Sequence, residues 1–110
     1  MKQSKNLGSL IVKHFSFLTE DYDFVYSESL HRYSKPNLEF EIQHQGGELK
    51  LFFIKNKKRM TFEESMSEVR KEHFSYPAHF TNWVLSMGDV DSRLAYDAKL
   101  IKTNATKLLY

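Results

Sequence analysis

The residues of this chain with the means to do chemistry are five histidines and fourteen carboxylates, so their spacing is the first question. A histidine metal site needs ligands on one helix face or in a compact cluster. His73 and His79 instead lie six apart across Pro77, with no His-Glu-x-x-His run and no third ligand. His14 falls on an apolar helical stripe, as a core or boundary residue would, and His44 falls near a hairpin tip. Cysteine is absent, which removes disulfides, thiolate zinc sites and cysteine nucleophiles together. A serine nucleophile announces itself through a Gly-x-Ser-x-Gly elbow, and none is present. Gly8-Ser9 and Gly88-Asp89 are isolated, so there is no glycine-rich phosphate loop either. The carboxylates are plentiful but belong to no acid/base motif. We therefore expect no cofactor, no metal and no catalytic residue, and a binding protein instead of an enzyme. A small hydrolase would have to gather His44, His73 or His79 beside an acid.

Two charge patterns could serve binding. Glu64, Glu68 and Glu72 recur every four residues and would stack as one ridge on a helix. Like charges at that spacing repel by a few tenths of a kcal/mol each, and Glu72 would stand near a helix C-terminus where the dipole disfavours it. Such a ridge is either an ordinary wet face relieved by Arg70 and Lys71, or a surface that meets a basic protein. Lys55, Lys57, Lys58 and Arg59 form the opposite pattern, four cations within five positions. They read as a solvated basic loop, or as a set of phosphate contacts.

These side chains need elements to hold them. The clearest is a β-hairpin: Leu38, Phe40 and Ile42 alternate with Glu39, Glu41 and Gln43, then Gly46-Gly47 turns the chain into Glu48 to Lys55. Simple pairing sets Phe40 opposite Phe53 and Ile42 opposite Leu51 on one face. The other face then places Glu41 opposite Phe52 and Glu39 opposite Ile54. That second face is either covered by a helix, as buried strands are, or an exposed apolar patch with an acidic rim, the usual anatomy of a protein-binding site.

Around the hairpin, Leu7, Leu10, Ile11, His14, Phe15 and Leu18 predict an amphipathic first helix. Phe24 and Tyr26 predict a short strand. Thr61-Phe-Glu-Glu64 is a capping box opening a second helix, which Phe62, Met66, Val69 and His73 continue until Pro77 stops it. A short helix is expected over 78–87 and a last one from Asp91, striped by Leu94, Ala98, Ile101, Ala105 and Leu108. The order predicts a single α+β domain over residues 1–110, an antiparallel sheet with a central hairpin and helices packed on it. Net charge is only +2, so how charge is distributed matters more than its total. The first fifteen residues, MKQSKNLGSLIVKHF, lack the apolar core and cleavage site of a signal peptide. No run reaches a membrane span, so a cytoplasmic location is expected.

Phe17-Leu18-x-x-Asp21-Tyr22-x-Phe24, the alternating strands at 38–42 and 49–54 and the closing helix of 94–109 together resemble small bacterial immunity-like proteins. These are associated with polymorphic or contact-dependent toxins. The resemblance implies a non-enzymatic cytoplasmic protein that neutralises a cognate toxin domain by direct binding. The resemblance carries over no binding residue; the glutamate spacing and the mixed hairpin face nominate Glu39, Glu41, Phe52, Ile54, Glu64, Glu68 and Glu72 as the interface. The charge of +2 departs from the acidic balance common among inhibitors of basic nuclease toxins, so attraction would be confined to a local patch. The alternative is a small nucleic-acid-binding regulator that uses residues 55–59.

Overall fold

The computed structural model describes residues 7–45, 48–78 and 87–109. Helix α1 (Leu7–Asp21) leads into five strands, β1 (Val25–Ser27), β2 (Arg32–Lys35), β3 (Leu38–Gln45), β4 (Glu48–Lys55) and β5 (Lys58–Thr61). Helices α2 (Phe62–Arg70), α3 (Met87–Thr103) and α4 (Ala105–Leu108) follow. The strands form one antiparallel meander in the order β1-β2-β3-β4-β5, so the fold is α+β as the sequence predicts.

The central register is the simple one. Phe40 pairs with Phe53, Ile42 with Leu51, Glu41 with Phe52 and Glu39 with Ile54, and Gln45 opposite Glu48 closes the ladder. Gly46 and Gly47, on which the turn was expected, lie outside the described residues.

Two strands escaped the sequence reading. β2 begins at Arg32, in a stretch with little apolar alternation. β5 occupies the second half of the expected basic loop, which is in fact a hairpin. Asn56 and Lys57 both adopt positive φ, 52° and 70°, which is the primed two-residue turn whose twist matches the flanking strands. At the β2–β3 turn Pro36 precedes Asn37, whose φ is 69°. The Asn56 amide donates to the Asn37 carbonyl at 3.0 Å, so the two turns are fastened side by side at one end of the sheet.

The inner face carries a row running Tyr26, Tyr33, Phe40, Phe53 and Met60 across all five strands. Phe15 of α1 meets this row, with ring centroids 5.1 Å from Phe40 and 6.4 Å from Tyr33. Phe62 of α2 extends it, 6.0 Å from Phe53 and 6.0 Å from Tyr76. The predicted stripe of Leu94, Ala98, Ile101, Ala105 and Leu108 is buried throughout, although Asn104 separates it into two helices. Its side-chain amide donates to the Leu100 carbonyl, the backbone competition by which asparagine interrupts helices.

Helix boundaries correct two expectations. α2 does not run to Pro77: Lys71 turns left-handed at φ 58°, and the Lys71 and Glu72 amides both donate to the Ser67 carbonyl. This is the ordinary αL termination, made without glycine. α3 starts four residues before Asp91, at Met87. The short helix expected over 78–87 falls almost wholly outside the described residues. Among the described residues, no helix is long and apolar enough to cross a membrane.

Candidate protein-binding face

The outer face of the sheet is built from the strand residues whose Cβ atoms point away from the aromatic row. Two rows cross all five strands. One runs Val25, Ser34, Glu39, Ile54, Arg59 and the other Ser27, Arg32, Glu41, Phe52, Thr61. Every member is half-buried or exposed. The described helices bury their apolar residues in the same cluster as the inner face, so among the described residues no helix covers the outer rows. Among the described residues the sheet is thus one-sided, with Phe52 and Ile54 on the side that no described helix covers.

Glu41 is the centre of this face. Its side chain is 12% exposed and lies between two guanidinium groups, Arg59 Nη1 at 3.1 Å and Arg32 Nη2 at 3.5 Å. Arg32 Nη1 also faces Glu39 at 3.5 Å, and the Gln43 amide donates to Glu41 Oε2 at 3.4 Å. Arg59 reaches Glu41 by crossing β4, and on the way its guanidinium lies 4.0 Å above the Phe52 ring. A stacked cation of this kind contributes about 0.5–1 kcal/mol at an exposed site. The face therefore holds two cations and two anions around an aromatic centre. The acidic rim expected from the sequence is neutralised by Arg32 and Arg59, which belong to the two strands the sequence reading missed. Their arrival had one sequence signal, the like parity of Arg59 and Thr61 on a four-residue run after an Asn-Lys turn.

The seven predicted interface residues separate into two groups. Glu39, Glu41, Phe52 and Ile54 are brought together on the outer face. Glu64, Glu68 and Glu72 are not one ridge. The Glu64 carboxylate accepts from the Thr61 amide at 2.9 Å while Thr61 Oγ1 accepts from the Glu64 amide at 3.1 Å, completing the predicted capping box. Glu72 lies beyond the end of α2 and pairs with Arg70 at 3.0 Å. Only Glu68 remains as an exposed carboxylate in mid-helix. The basic run is also divided: Arg59 is drawn onto the outer face, and Lys55 and Lys58 oppose each other at the turn end.

Among the described residues, the histidines do not converge on a site. His14 Nε2 hydrogen-bonds Asp91 Oδ1, which ties α1 to α3, with Lys13 Nζ 3.3 Å from Asp91 Oδ2. The His14 hydrogen bond is the main cause holding the Asp91 carboxyl below the usual carboxylate range, with Lys13 adding to it. His73 is exposed after α2, and His79 lies outside the described residues. Among the described residues, no group of three or more histidines and carboxylates could hold a metal ion.

A second polar cluster was not foreseen. Arg93 and Asp97, one helical turn apart on α3, are both buried, with Arg93 Nε 3.6 Å from Asp97 Oδ2. The Arg93 guanidinium lies 4.0 Å above the Tyr76 ring. Neither Asp97 oxygen, nor Arg93 Nε, nor the Tyr76 hydroxyl closes a hydrogen bond. Burial pushes the Asp97 carboxyl up to about 7, against the opposing pull of Arg93, and raises the Tyr76 phenol well above its ordinary value. The signal was present in the numbering. Positions 93 and 97 stand three and seven after Val90, on the helical face that Leu94 and Ala98 bury.

No protein-family model matches this chain, and the curated proteins and the solved structures give no match.

Proposed function

We propose that this protein acts by binding another protein through the open face of its sheet, and that the partner is a cognate bacterial toxin domain which it neutralises as an immunity protein. The observation that carries the binding reading is Phe52 and Ile54 standing half-buried on a face that no described helix covers, amid Arg32, Glu39, Glu41 and Arg59. Anchors of this type, apolar in the centre and flanked by oriented charges, are where binding energy concentrates in protein interfaces. The toxin is suggested by the resemblance of residues 17–24 and of the strand and helix order to immunity-like proteins.

The mixed charge suits steering and register better than bulk attraction, which fits a chain whose net charge is only +2. On this reading Arg59 has two roles. It shields Phe52 in the free protein, and it turns outward to a carboxylate of the partner in the complex.

The test is co-expression with the product of the neighbouring gene, followed by co-purification and a growth assay. A one-to-one complex that restores growth is the expected result. Phe52→Ala with Ile54→Ala should abolish it, while Glu68→Lys with Glu72→Lys should leave it intact. Loss through the second pair alone would move the interface to α2. Salt-sensitive binding of mixed RNA or DNA, lost when Lys55, Lys57 and Lys58 are neutralised, would replace the proposal with the nucleic-acid alternative.

A further inference from the structure

We infer that the free edge of β1 receives a second copy of this chain, the two β1 strands pairing antiparallel about a two-fold axis at Tyr26. What that edge offers follows from the ladder. The β2–β3 register continues to His31 opposite Ile42, and the Ile42 amide donates to the His31 carbonyl at 3.0 Å. Hydrogen-bonded and non-hydrogen-bonded pairs alternate along an antiparallel ladder, so Tyr33 also spends its backbone groups on β3, against Phe40. Arg32 and Ser34 therefore turn towards β1, where Ser27 and Val25 stand opposite them. The Tyr26 N–H and C=O point the other way, out of the sheet.

The opposite edge is built differently. Lys55 and Lys58 close a two-residue turn and so form a hydrogen-bonded pair, which leaves Arg59 and Thr61 facing outwards on β5. The Thr61 amide is taken by the Glu64 carboxylate. A copy pairing about Arg59 would set guanidinium against guanidinium, because the central residue of a two-fold pair meets itself, and like charges directly opposite disfavour a sheet. Cations of this kind are a common protection of an edge. β1, by contrast, carries no charge. Val25 is 70% exposed, the most exposed large hydrophobic among the described residues, and Leu30 of the β1–β2 turn follows at 53%.

Pairing about Tyr26 suits a second copy in particular. The two Tyr26 residues exchange both hydrogen bonds, and Val25 of each copy falls opposite Ser27 of the other. The outer row that ends in Ser34 and Val25 then runs on into Ser27 and Arg32 of the second copy, so uncharged side chains meet at the junction. On the inner face Tyr26, 4.5 Å from Tyr33 between ring centroids, meets its own counterpart and the aromatic row continues across both sheets. A foreign peptide would gain only the one Tyr26 pair from so short a strand, whereas a copy brings its own Val25 and Tyr26 as well. Phe52 and Ile54 lie three strands from the junction, so the pairing leaves the outer face open and does not depend on the toxin reading.

The chain has no cysteine, so introduced thiols give a clean test. Val25 and Ser27 of the second copy form a non-hydrogen-bonded pair, whose Cα atoms lie about 4.5 Å apart and within disulfide reach. Val25→Cys with Ser27→Cys should therefore oxidise to a covalent dimer, while Glu48→Cys with Lys50→Cys, the same spacing on exposed positions of β4, should stay monomeric. Sedimentation equilibrium of the unmodified protein from micromolar to millimolar concentration should show the mass rising reversibly from 13.0 kDa towards twice that value. Val25→Lys should weaken this association at least tenfold. Adding Ser27→Glu sets a carboxylate opposite each new lysine and should restore most of it. A monomer at every concentration, a dimer that Val25→Lys leaves unchanged, or cross-linking no faster than in the β4 control would overturn the assignment.

Discussion

A guanidinium with an aromatic ring 4.0 Å beneath it and a carboxylate beside it occurs, among the described residues, in two opposite surroundings. On the outer face Arg59 lies 4.0 Å above Phe52 and 3.1 Å from Glu41. Inside, Arg93 lies 4.0 Å above Tyr76 and 3.6 Å from Asp97. The outer carboxylate has a second guanidinium and an amide within reach and keeps part of its side chain open to solvent, although its Oε1 is itself buried. The inner carboxylate is fully buried with one imperfect partner, and desolvation overcomes the attraction of Arg93 far enough to raise its pKa to about 7. Identical chemistry is thus a tunable surface in one place and a pH-dependent strain on the core in the other.

The largest test of that difference is to remove the inner cation. Arg93→Ala leaves Asp97 buried without its counter-charge, and breaking a buried pair in this way costs about 3–5 kcal/mol. Asp97 can escape the penalty by taking a proton. Urea denaturation should therefore show the full loss near pH 8 and a smaller one near pH 5. Equal losses at the two pH values would mean that Asp97 is not the group Arg93 compensates.

The converse variant acts on the slope instead of the level. The Asp97 pKa is higher in the folded chain than in the unfolded one, so the folded state holds more protons between the two values. Its contribution to stability is complete below about pH 4 and is lost as pH rises through about 7. The shift corresponds to at most about 4 kcal/mol. Asp97→Asn should flatten melting temperature against pH over this interval and make the protein more stable than wild type at pH 8. A slope unchanged by the substitution would assign it to another group.

How far these regions could be read from sequence follows from the range over which each is determined. The β3–β4 register was legible because alternation at Leu38, Phe40, Ile42, Leu51 and Phe53 fixes which face is buried, and a slip by one residue would expose all of them. The capping box at Thr61 and Glu64 was legible because it is made by residues three apart. The outer network was not, because Arg32 and Arg59 come from short strands with little periodicity, placed only by pairing with a sheet already formed. Lys71 hid the end of α2, since a left-handed lysine gives none of the warning that a glycine gives. Arg93 and Asp97 share the helical stripe of Leu94 and Ala98, but their charge argues for the surface, and it is the packing of Tyr76 beside α3 that accounts for their burial.

Removing the outer cation should do much less to stability and more to binding. Arg59→Ala deletes the stack on Phe52 and one of two guanidinium groups at Glu41, at a half-exposed site. It should cost about 1 kcal/mol, and less at high salt because exposed ion pairs are screened. A loss of 3 kcal/mol or more would erase the contrast with Arg93, for it would mean that the outer face is as dry as the core. In the complex, the same variant should slow association and weaken affinity out of proportion to its small effect on folding.

The smallest effect is expected at Asp91, a half-buried carboxylate whose pKa moves the opposite way. Asp91 is held low by His14 and Lys13, so its contribution is present at neutral pH and is lost as pH falls below the ordinary carboxylate range. Asp91→Asn should lower stability slightly at pH 8, where the pairing is intact, and remove that part of the loss seen on acidification below pH 4. Combined with Asp97→Asn, it separates the two limbs of the pH profile: Asp91 governs the acid limb and the fully buried Asp97 the limb toward neutrality. If Asp91→Asn instead altered the limb between pH 5 and 8, the contact between α1 and α3 would be coupled to the buried pair on the same helix, and burial alone would no longer account for the behaviour of Asp97.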